Sequence, residues 1–367
     1  MIDSPVSRTI LPKTKGARPV RHQTTKVRAA VVGLGWPGMQ HLKGYTADPR
    51  SEVIAVCDLD ETHAKTVAAQ HNIPHTYTHH LEMLENTAID AVSVCLPNFL
   101  HAPISIDALN AGKHVLCEKP PARSAQEAKA MADAAAENGK TLMYALVQRF
   151  DGSSQKLKQL VKAGELGDVY FGKAAYVRRR GIPIGKEGWF VDRERSGGGA
   201  LIDIGVHALD CIWWLMNSPR PVEVMGTSYA HFGHLVPDTV KYDVDDGTFA
   251  HILFENGATI ILETTWALNL PGDNYIKIAG TKAGATLNPF TLYTEENGKE
   301  VDQPLDAPSI NGFDEEVKHF VACIVDGKVP ISSAEQGIML MQMLDGIYES
   351  SEKGQSVSIA DLNTAKG

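Results

Sequence analysis

The sequence predicts an α/β domain built on a doubly wound parallel sheet, followed by an α+β domain built on a mostly antiparallel sheet flanked by helices. Three observations predict this fold class. Short apolar runs alternate with helix-like stretches from residue 27 to residue 147, the pattern of β-α-β units. A glycine-rich segment follows the first apolar run directly. Beyond residue 150, apolar runs flank turns that contain Gly or Asn-Gly, as in antiparallel hairpins.

The first half contains five predicted strands and four predicted helices. Each strand is a continuous apolar run, as expected for a parallel sheet buried on both faces. The predicted strands are Val27–Val32, Glu52–Cys57, Ile89–Cys95, His114–Cys117 and Thr141–Val147. The predicted helices are Gly38–Ala47, Asp60–His71, His101–Ala111 and Ser124–Asn138.

The second half begins near residue 150 and contains longer strands. We predict, in chain order, a helix at Ser153–Lys162, a strand at Val169–Arg179, one hairpin around Asn256-Gly257, another around residues 280–284, and helices at Gly312–Val325 and Ala334–Ser350. We therefore divide the chain into an arm (1–26), a first domain (27–148), a second domain (149–353) and a tail (354–367). The C-terminal helices are candidates for packing back on the first domain.

The composition excludes several classes of function. Hydrophobic residues make up 43% and charged residues 22%, as in ordinary globular proteins. The net charge of −9 argues against a nucleic-acid partner, because phosphate binding needs a basic surface. No apolar run reaches about 18 residues, so no membrane partner is expected. Five cysteines without a Cys-x-x-Cys pair predict reduced, buried thiols, a cytoplasmic location and no metal centre.

Residues 1–26 differ from the rest of the chain because they are strongly basic. Six Lys or Arg residues stand against a single acid, Asp3. No apolar segment follows the basic residues, which argues against a secretory signal. We interpret this stretch as a flexible arm, with an arm that lies on a neighbouring subunit as the alternative.

The segment Gly33-Leu34-Gly35-Trp36-Pro37-Gly38 has the pattern G-x-G-x-x-G. It follows the first predicted strand and opens a helix, which is the context of a dinucleotide site in a Rossmann domain. Gly33 permits a tight turn, Gly35 lets the backbone approach a pyrophosphate, and Gly38 lets helix and strand pack closely. The helix N-terminus adds free N–H groups for the phosphates.

Asp58 ends the second predicted strand, 20 residues after Gly38. A carboxylate at this position can accept hydrogen bonds from the adenosine ribose. It would repel a 2′-phosphate, and Leu59 and Asp60 supply no cation, so NAD is predicted over NADP. The alternative is that the glycines only form a turn and that Asp58 only caps a helix.

Two further segments narrow the class of enzyme. Glu118-Lys119-Pro120 follows the fourth predicted strand, and Asp203-Ile204-Gly205-Val206-His207 follows Gly197-Gly198-Gly199. A Rossmann domain with these two motifs in this order resembles the Gfo/Idh/MocA family over about residues 27 to 350. The resemblance implies an open C-terminal sheet often used for subunit association. It also implies NAD(P)-linked oxidation or reduction of a secondary alcohol in a sugar or cyclitol.

The resemblance also implies residue roles. Lys119 matches a lysine between nicotinamide and substrate, and Asp203 and His207 match an acid and a catalytic histidine. The cofactor contacts implied by the motifs are Gly33, Gly35, Trp36, Pro37, Gly38, Asp58, Pro97, Asn98, His101, Glu118 and Lys119.

The physical chemistry of these side chains agrees with the implied roles. Asp203 and His207 stand four residues apart, so on a helix they share one face. Removing a hydride from a secondary alcohol requires a base for the hydroxyl proton, and either His207 or Lys119 can serve, with the other stabilising the alkoxide. An isolated Asp-x-x-x-His pair is more often structural, so the prediction depends on the joint occurrence of the motifs.

Fewer sequence motifs identify the residues that bind the substrate. Arg178-Arg179-Arg180 precedes Gly188-Trp189-Phe190, and on a strand Arg178 and Arg180 would share one face. We predict that Arg178, Arg180 and Trp189 line the substrate pocket beside Asp203 and His207, with a solvated sheet edge as the alternative. A pyranoside oxidised at a ring hydroxyl such as C3 is one candidate substrate.

Three functions remain open at this point. The first is an NAD-dependent dehydrogenase acting on a sugar, glycoside or cyclitol, as a homodimer or homotetramer associated through the C-terminal sheet. The second uses a tightly bound NAD in an internal redox cycle, for glycoside cleavage or sugar–sugar oxidoreduction. The third is a dinucleotide-binding protein without turnover.

Overall fold

The computed structural model describes residues 26–362, so most of the predicted arm and the end of the predicted tail lie outside the described residues. Residues 27–145 form a six-stranded parallel sheet in the order β3-β2-β1-β4-β5-β6. The order reverses beside β1, which places a crevice at the carboxyl ends of β1 and β4. The strands are β1 (Val27–Val32), β2 (Ser51–Cys57), β3 (His75–Tyr77), β4 (Ala91–Val94), β5 (His114–Glu118) and β6 (Leu142–Ala145).

Helices cover both faces of this sheet. They are α1 (Trp36–Ala47), α2 (Glu61–His71), α3 (His80–Leu84), α4 (His101–Asn110) and α5 (Ala125–Glu137). Alternate residues of β1 enter two different cores: Ala30 and Val32 on one face, Ala29 and Val31 on the other. This double burial explains why the strands are continuous apolar runs.

The second sheet has nine strands in the order β14-β13-β12-β11-β7-β10-β9-β8-β15. Its neighbours are antiparallel except for β7 and β10, which run parallel. The hairpins predicted around Asn256-Gly257 and residues 280–284 are confirmed. The strands are β7 (Val169–Val177), β8 (Pro221–Tyr229), β9 (Gly247–Phe254), β10 (Thr259–Thr265), β11 (Asp273–Gly280), β12 (Gly284–Leu287), β13 (Phe290–Glu296), β14 (Lys299–Pro304) and β15 (Val357–Ser358).

One face of the second sheet is covered by α6 (Gly152–Lys162), α8 (Val206–Leu215), α10 (Ala334–Lys353) and α11 (Ile359–Leu362). Two further helices, α7 (Arg193–Ser196) and α9 (Gly312–Asp326), do not pack on this sheet. The backbone of β7 meets α8 so closely that a Cβ on Gly172 would lie 2.7 Å from the Ile212 side chain. Helix α9 crosses to the first domain, where Val317 packs against Gly44 of α1.

The helical stretch that ends in α8 is strongly apolar. Arg193–Leu215 is, among residues 26–362, the stretch that is long and apolar enough to span a bilayer, and 89% of its most apolar window is buried inside the fold. The stretch is therefore a core helix of this domain. A π-helical turn, Leu201–Gly205, leads into α8 and carries Asp203.

One of the strand boundaries that were predicted wrongly bears on the candidate site. The strand predicted as Val169–Arg179 ends at Val177. Arg178 still donates its backbone N–H to Thr265 O, whereas the chain turns away from the sheet at Arg179 and Arg180. As a result Arg178 and Arg180 do not share a strand face.

Candidate active site

A cavity of about 460 Å³ opens at the carboxyl ends of the first sheet, between the two domains. Parts of both domains line it, including the glycine-rich turn, the end of β5, the start of α8 and the segment after β7. A larger groove of about 820 Å³ runs between α1 and α9 and contains none of the predicted site residues. The predicted residues in the smaller cavity are Trp36, Pro37, Asn98, Glu118, Lys119, Arg178, Trp189, Asp203 and His207.

The three glycines of the first motif have different surroundings. Gly33 has a φ of +86°, and a Cβ on it would lie 2.3 Å from Cys95 O. A Cβ on Gly38 would lie 1.9 Å from Gly33 O, so helix and turn are in direct backbone contact. A Cβ on Gly35 would meet nothing closer than Pro37 Cδ at 3.9 Å. The backbone at Gly35 therefore faces open space, as a turn that receives a pyrophosphate requires.

Asp58 braces this turn. Its Oδ2 accepts the Leu34 N–H at 2.9 Å, and its Oδ1 accepts the Asp60 N–H at 3.0 Å. Each carboxylate oxygen has a further lone pair available, so the side chain can still accept hydrogen bonds from a ribose. The neighbouring Leu59 side chain is 83% exposed and supplies no charge.

The loop after β4 is fixed from behind. Asn98 is buried and donates its Nδ2–H to Ser196 O at 2.7 Å, which ties the loop to the second domain. His101 is fully buried, with its ring nitrogens 2.8 Å from Pro120 O and 2.7 Å from Leu96 O. It lies behind the cavity lining, where it joins the loop containing Pro97 to the segment that follows Lys119.

Glu118 lies at the floor of the cavity. Its Oε1 is 3.3 Å from His41 Nε2, and its Oε2 accepts the Lys119 backbone N–H at 3.0 Å. Burial raises the pKa of this carboxyl, but the His41 contact and the neighbouring Lys119 more than offset it and leave the pKa below its usual value. Glu118 is therefore an ionised, fixed carboxylate.

Lys119 and Asp203 form a partly buried ion pair across the two domains. The Lys119 Nζ donates to Asp203 Oδ1 at 3.0 Å and to Asp203 O at 2.8 Å. Burial raises the Asp203 pKa, but Lys119 and the Trp266 indole N–H offset it, so the pKa lies below its usual value. The pair presents a cation at the cavity wall that a carboxylate holds in place.

His207 completes the group of polar side chains. Burial, and then the positive charge of Lys119, lower the pKa of His207 to about 3. Its Nδ1 is buried without a hydrogen-bond partner. The imidazole is therefore neutral, and it belongs to the lining of the cavity.

The start of the helix that carries Asp203 and His207 is fixed by Asp245. The Asp245 carboxylate accepts the N–H groups of Gly199 at 2.7 Å and Leu201 at 2.9 Å. A Cβ on Gly199 would lie 1.8 Å from Asp245 O, which explains a glycine at this position. No motif in the sequence marks Asp245 as part of this site.

A second buried ion pair holds the middle of α8. Arg149 donates to Asp210 at 2.9 and 2.6 Å, and both side chains are buried. Asp210 therefore binds Arg149 and does not orient His207. Such a bidentate pair fixes the helix relative to the turn between the two domains.

The substrate wall of the cavity is aromatic and cationic. Trp189 and Phe190 stack with ring centroids 3.8 Å apart, and the Arg178 guanidinium lies 5.2 Å from the centroid of Tyr176. The prediction for Arg180 is wrong: it is exposed, donates to Asn269 Oδ1 at 2.6 Å and lies outside the cavity. The early end of β7 explains this, because the turn at Arg179 directs Arg180 elsewhere.

Comparisons with known proteins agree with this architecture. Residues 27–146 match the profile described as "Oxidoreductase family, NAD-binding Rossmann fold", and residues 154–286 match the "GFO/IDH/MocA C-terminal domain". D-glucoside 3-dehydrogenase of Escherichia coli K12 is 34% identical over 92% of this chain and 98% of its own length. D-xylose 1-dehydrogenase (NADP(+)) 2 of Haloferax volcanii is 29% identical over 90% and 98%. An aldose–aldose oxidoreductase from Caulobacter crescentus, solved with glycerol, superposes with a TM-score of 0.78 at 26% identity, covering 91% of this chain and 99% of that one.

Proposed function

The chain belongs to the Gfo/Idh/MocA family and is an NAD(P)-dependent sugar dehydrogenase; we propose that it oxidises a pyranoside at the ring C3 hydroxyl, with NAD as the dinucleotide. The observation that carries the proposal is the composition of the lining of the 460 Å³ cavity. The lining combines the Lys119–Asp203 pair and neutral His207 with Trp189 and Arg178. A polyol with an apolar ring face suits such a lining, because its hydroxyls can reach the polar groups while its C–H face packs on an aromatic ring.

The glycine-rich turn fits a dinucleotide, since its open backbone at Gly35 leaves room for a pyrophosphate. Gly33, Gly35, Gly38 and Asp58 would hold the adenosine end, and Glu118 and Lys119 would border the nicotinamide end. The chemistry that a bound dinucleotide supplies is acceptance of a hydride from the carbon that carries the reacting hydroxyl.

Lys119 and His207 have different roles at the reacting hydroxyl group of the substrate. Lys119 is held by Asp203 and can donate a hydrogen bond to the substrate oxygen, which stabilises negative charge as it develops there. His207 lines the cavity and is neutral, so its imidazole can accept the hydroxyl proton. We assign the base to His207 and the charge-stabilising donor to Lys119.

The preference for NAD rests on Asp58. Its carboxylate would repel a 2′-phosphate, and the adjacent Leu59 and Asp60 supply no cation to bind one. The comparison proteins include an enzyme named as NADP-dependent, so this preference is a property of the chain's own residues. Comparing the affinities for NAD and NADP in the purified protein tests it.

Subunit association is proposed to use the outer face of the second sheet. Among the described residues no helix packs on this face, which exposes Met225 and Tyr229 on β8. Light scattering on Met225→Glu would show dissociation if the face joins a dimer or tetramer.

The five cysteines are buried and unpaired, which supports a cytoplasmic location.

Product identification tests the proposed substrate. We expect methyl glucoside to give a 3-keto product by NMR with stoichiometric NADH, and the 3-deoxy analogue to give none. The control is a 2-deoxy analogue, which keeps the reacting hydroxyl. Turnover of the 3-deoxy analogue would contradict oxidation at C3.

A second function is favoured by the resemblance to the Caulobacter aldose–aldose oxidoreductase. In that case the dinucleotide would stay bound, and a second sugar would take the electrons back. Cofactor that copurifies and survives dialysis, with no NADH released during turnover of a sugar pair, would favour this reaction over the dehydrogenase.

A further inference from the structure

A fully buried tryptophan lies behind the carboxylate of Asp203. The Trp266 Nε1–H donates to Asp203 Oδ2 at 2.9 Å, while the Lys119 Nζ donates to Asp203 Oδ1 at 3.0 Å. Each carboxylate oxygen thus has its own donor, and the plane of the carboxylate is fixed between them. We propose that Trp266 is a positioning residue that orients Asp203, so that Asp203 holds the Lys119 ammonium toward the substrate oxygen.

The indole itself has no freedom to turn away. Trp266 is 0% exposed and follows the last residue of β10, where its backbone N–H donates to Asp246 O at 2.8 Å. Its ring packs among Val191, Ile204 and Val244 in a small apolar cluster beneath the substrate segment. A ring enclosed in this way presents its N–H as a fixed donor, which is the arrangement in which a hydrogen bond to a charged group is strongest.

Trp266 acts through Asp203 and not on the substrate, because it does not line the cavity. Burial alone favours the protonated form of Asp203, and the donors offset that effect. Without the indole N–H, one buried oxygen would have no partner, and the carboxylate could rotate or take up a proton. Either change weakens its hold on Lys119.

The chain offers a matched control in Trp213. This residue is also fully buried, and its Nε1–H donates to Pro219 O at 2.8 Å, a backbone carbonyl outside the cavity. Trp213→Phe and Trp266→Phe therefore remove the same kind of buried donor, one from a structural acceptor and one from Asp203.

Steady-state kinetics against pH provide the first test, which rests on the proposed role of Asp203. We expect Trp266→Phe to lower kcat/KM about 10- to 100-fold, the range for losing a hydrogen bond to a charged group. We also expect the acid limb of the profile to move up by about one pH unit. Trp213→Phe should leave the limb in place. In an Asp203→Asn background, Trp266→Phe should cost less than about threefold, because coupled residues are not additive.

The outcomes separate the two claims. Full additivity with Asp203→Asn, or an unmoved acid limb in Trp266→Phe, would overturn the positioning role while leaving the role of Asp203 intact. Wild-type turnover in Asp203→Asn would overturn the role of Asp203 in the reaction, and the positioning role with it.

A second measurement needs neither turnover nor a folded Trp266→Phe. In the wild-type apoprotein, an indole N–H resonance in a ¹⁵N–¹H spectrum should report the contact. We expect one such resonance to shift in Asp203→Asn, while that of Trp213, assigned from Trp213→Phe, stays in place. A spectrum in which no indole resonance moves would overturn the inference.

Discussion

Glycine-to-alanine substitutions in the dinucleotide turn should separate effects on stability from effects on cofactor binding. Gly35 has a φ of −65°, which alanine adopts freely, and a Cβ there has 3.9 Å to its nearest neighbour. Gly38 has no such room, because a Cβ would lie 1.9 Å from Gly33 O and the backbones would have to separate by more than an ångström. The structure therefore predicts opposite consequences for the same chemical change.

The magnitudes follow from these distances. Gly38→Ala should cost about 1–3 kcal/mol or more as an overpacked contact. Gly33→Ala should cost about 2–5 kcal/mol, since its positive φ adds about 1–2 kcal/mol to a similar clash. At roughly 2–4 °C per kcal/mol, both should lower the Tm of the apoprotein by several degrees. Gly35→Ala should leave the Tm within about 2 °C, as for a substitution without a clash.

Cofactor affinity should fall in Gly35→Ala, although this variant leaves the stability of the apoprotein nearly unchanged. In Gly35→Ala the methyl group faces the space that a pyrophosphate would occupy, so we expect NAD affinity to fall at least about tenfold, or about 1.4 kcal/mol. Thermal unfolding followed by circular dichroism and calorimetric NAD titration measure the two effects. Wild-type NAD affinity in Gly35→Ala, or a wild-type Tm in Gly38→Ala, would refute the reasoning.

Three further predictions follow from single contacts. Arg178→Ala should raise KM for the sugar about tenfold, through loss of a charged hydrogen-bond donor, whereas Arg180→Ala, outside the cavity, should not; equal KM values would contradict the cavity lining. Asp58→Asn should weaken NAD binding and narrow the NAD to NADP affinity ratio, measured by parallel titrations, because the repulsion of a 2′-phosphate is removed; an unchanged ratio would count against the NAD assignment. Burial raises the pKa of Glu316 well above its usual value, so the folded state retains a proton that the unfolded state loses, and stability falls as pH rises, by at most about 1.4 kcal/mol per pH unit. Denaturant unfolding at several pH values measures this effect: the free energy of unfolding of Glu316→Gln should rise relative to wild type from about pH 5 to pH 8. The control is Glu315→Gln, at a half-exposed glutamate. If Glu316→Gln and wild type show the same pH dependence, Glu316 is not neutral in the folded state.

The first sheet was predictable because most of its strands are buried on both faces. The exception is β3, His75–Tyr77, which has three residues and no apolar run. In the second sheet, β8 was missed because its buried positions include Gly226, which interrupts the apolar alternation. The hairpin of β13 and β14 turns at Asn297-Gly298, but its strands are mostly exposed and polar, so the turn had no flanking apolar runs to mark it.

Only the site residues that lie in recognisable sequence motifs could be predicted. Lys119 and Asp203 lie in two such motifs, and in the structure the Lys119 Nζ is 3.0 Å from Asp203 Oδ1. Trp266 and Asp245 were missed because their partners lie 63 and about 45 residues away, and only the register of the second sheet brings them together. Arg180 was wrongly assigned to the cavity because the strand periodicity was extended past Val177, where β7 ends.

The most direct test of the account is the fate of deuterium at ring C3. A methyl glucoside deuterated at C3 should yield reduced dinucleotide that carries the label, detected by mass spectrometry, with a slowed rate of reduction in a single turnover. Lys119→Met should abolish the transfer while leaving NAD bound. Reduced dinucleotide that contains no deuterium, or full transfer in Lys119→Met, would contradict hydride removal from C3 at this cavity.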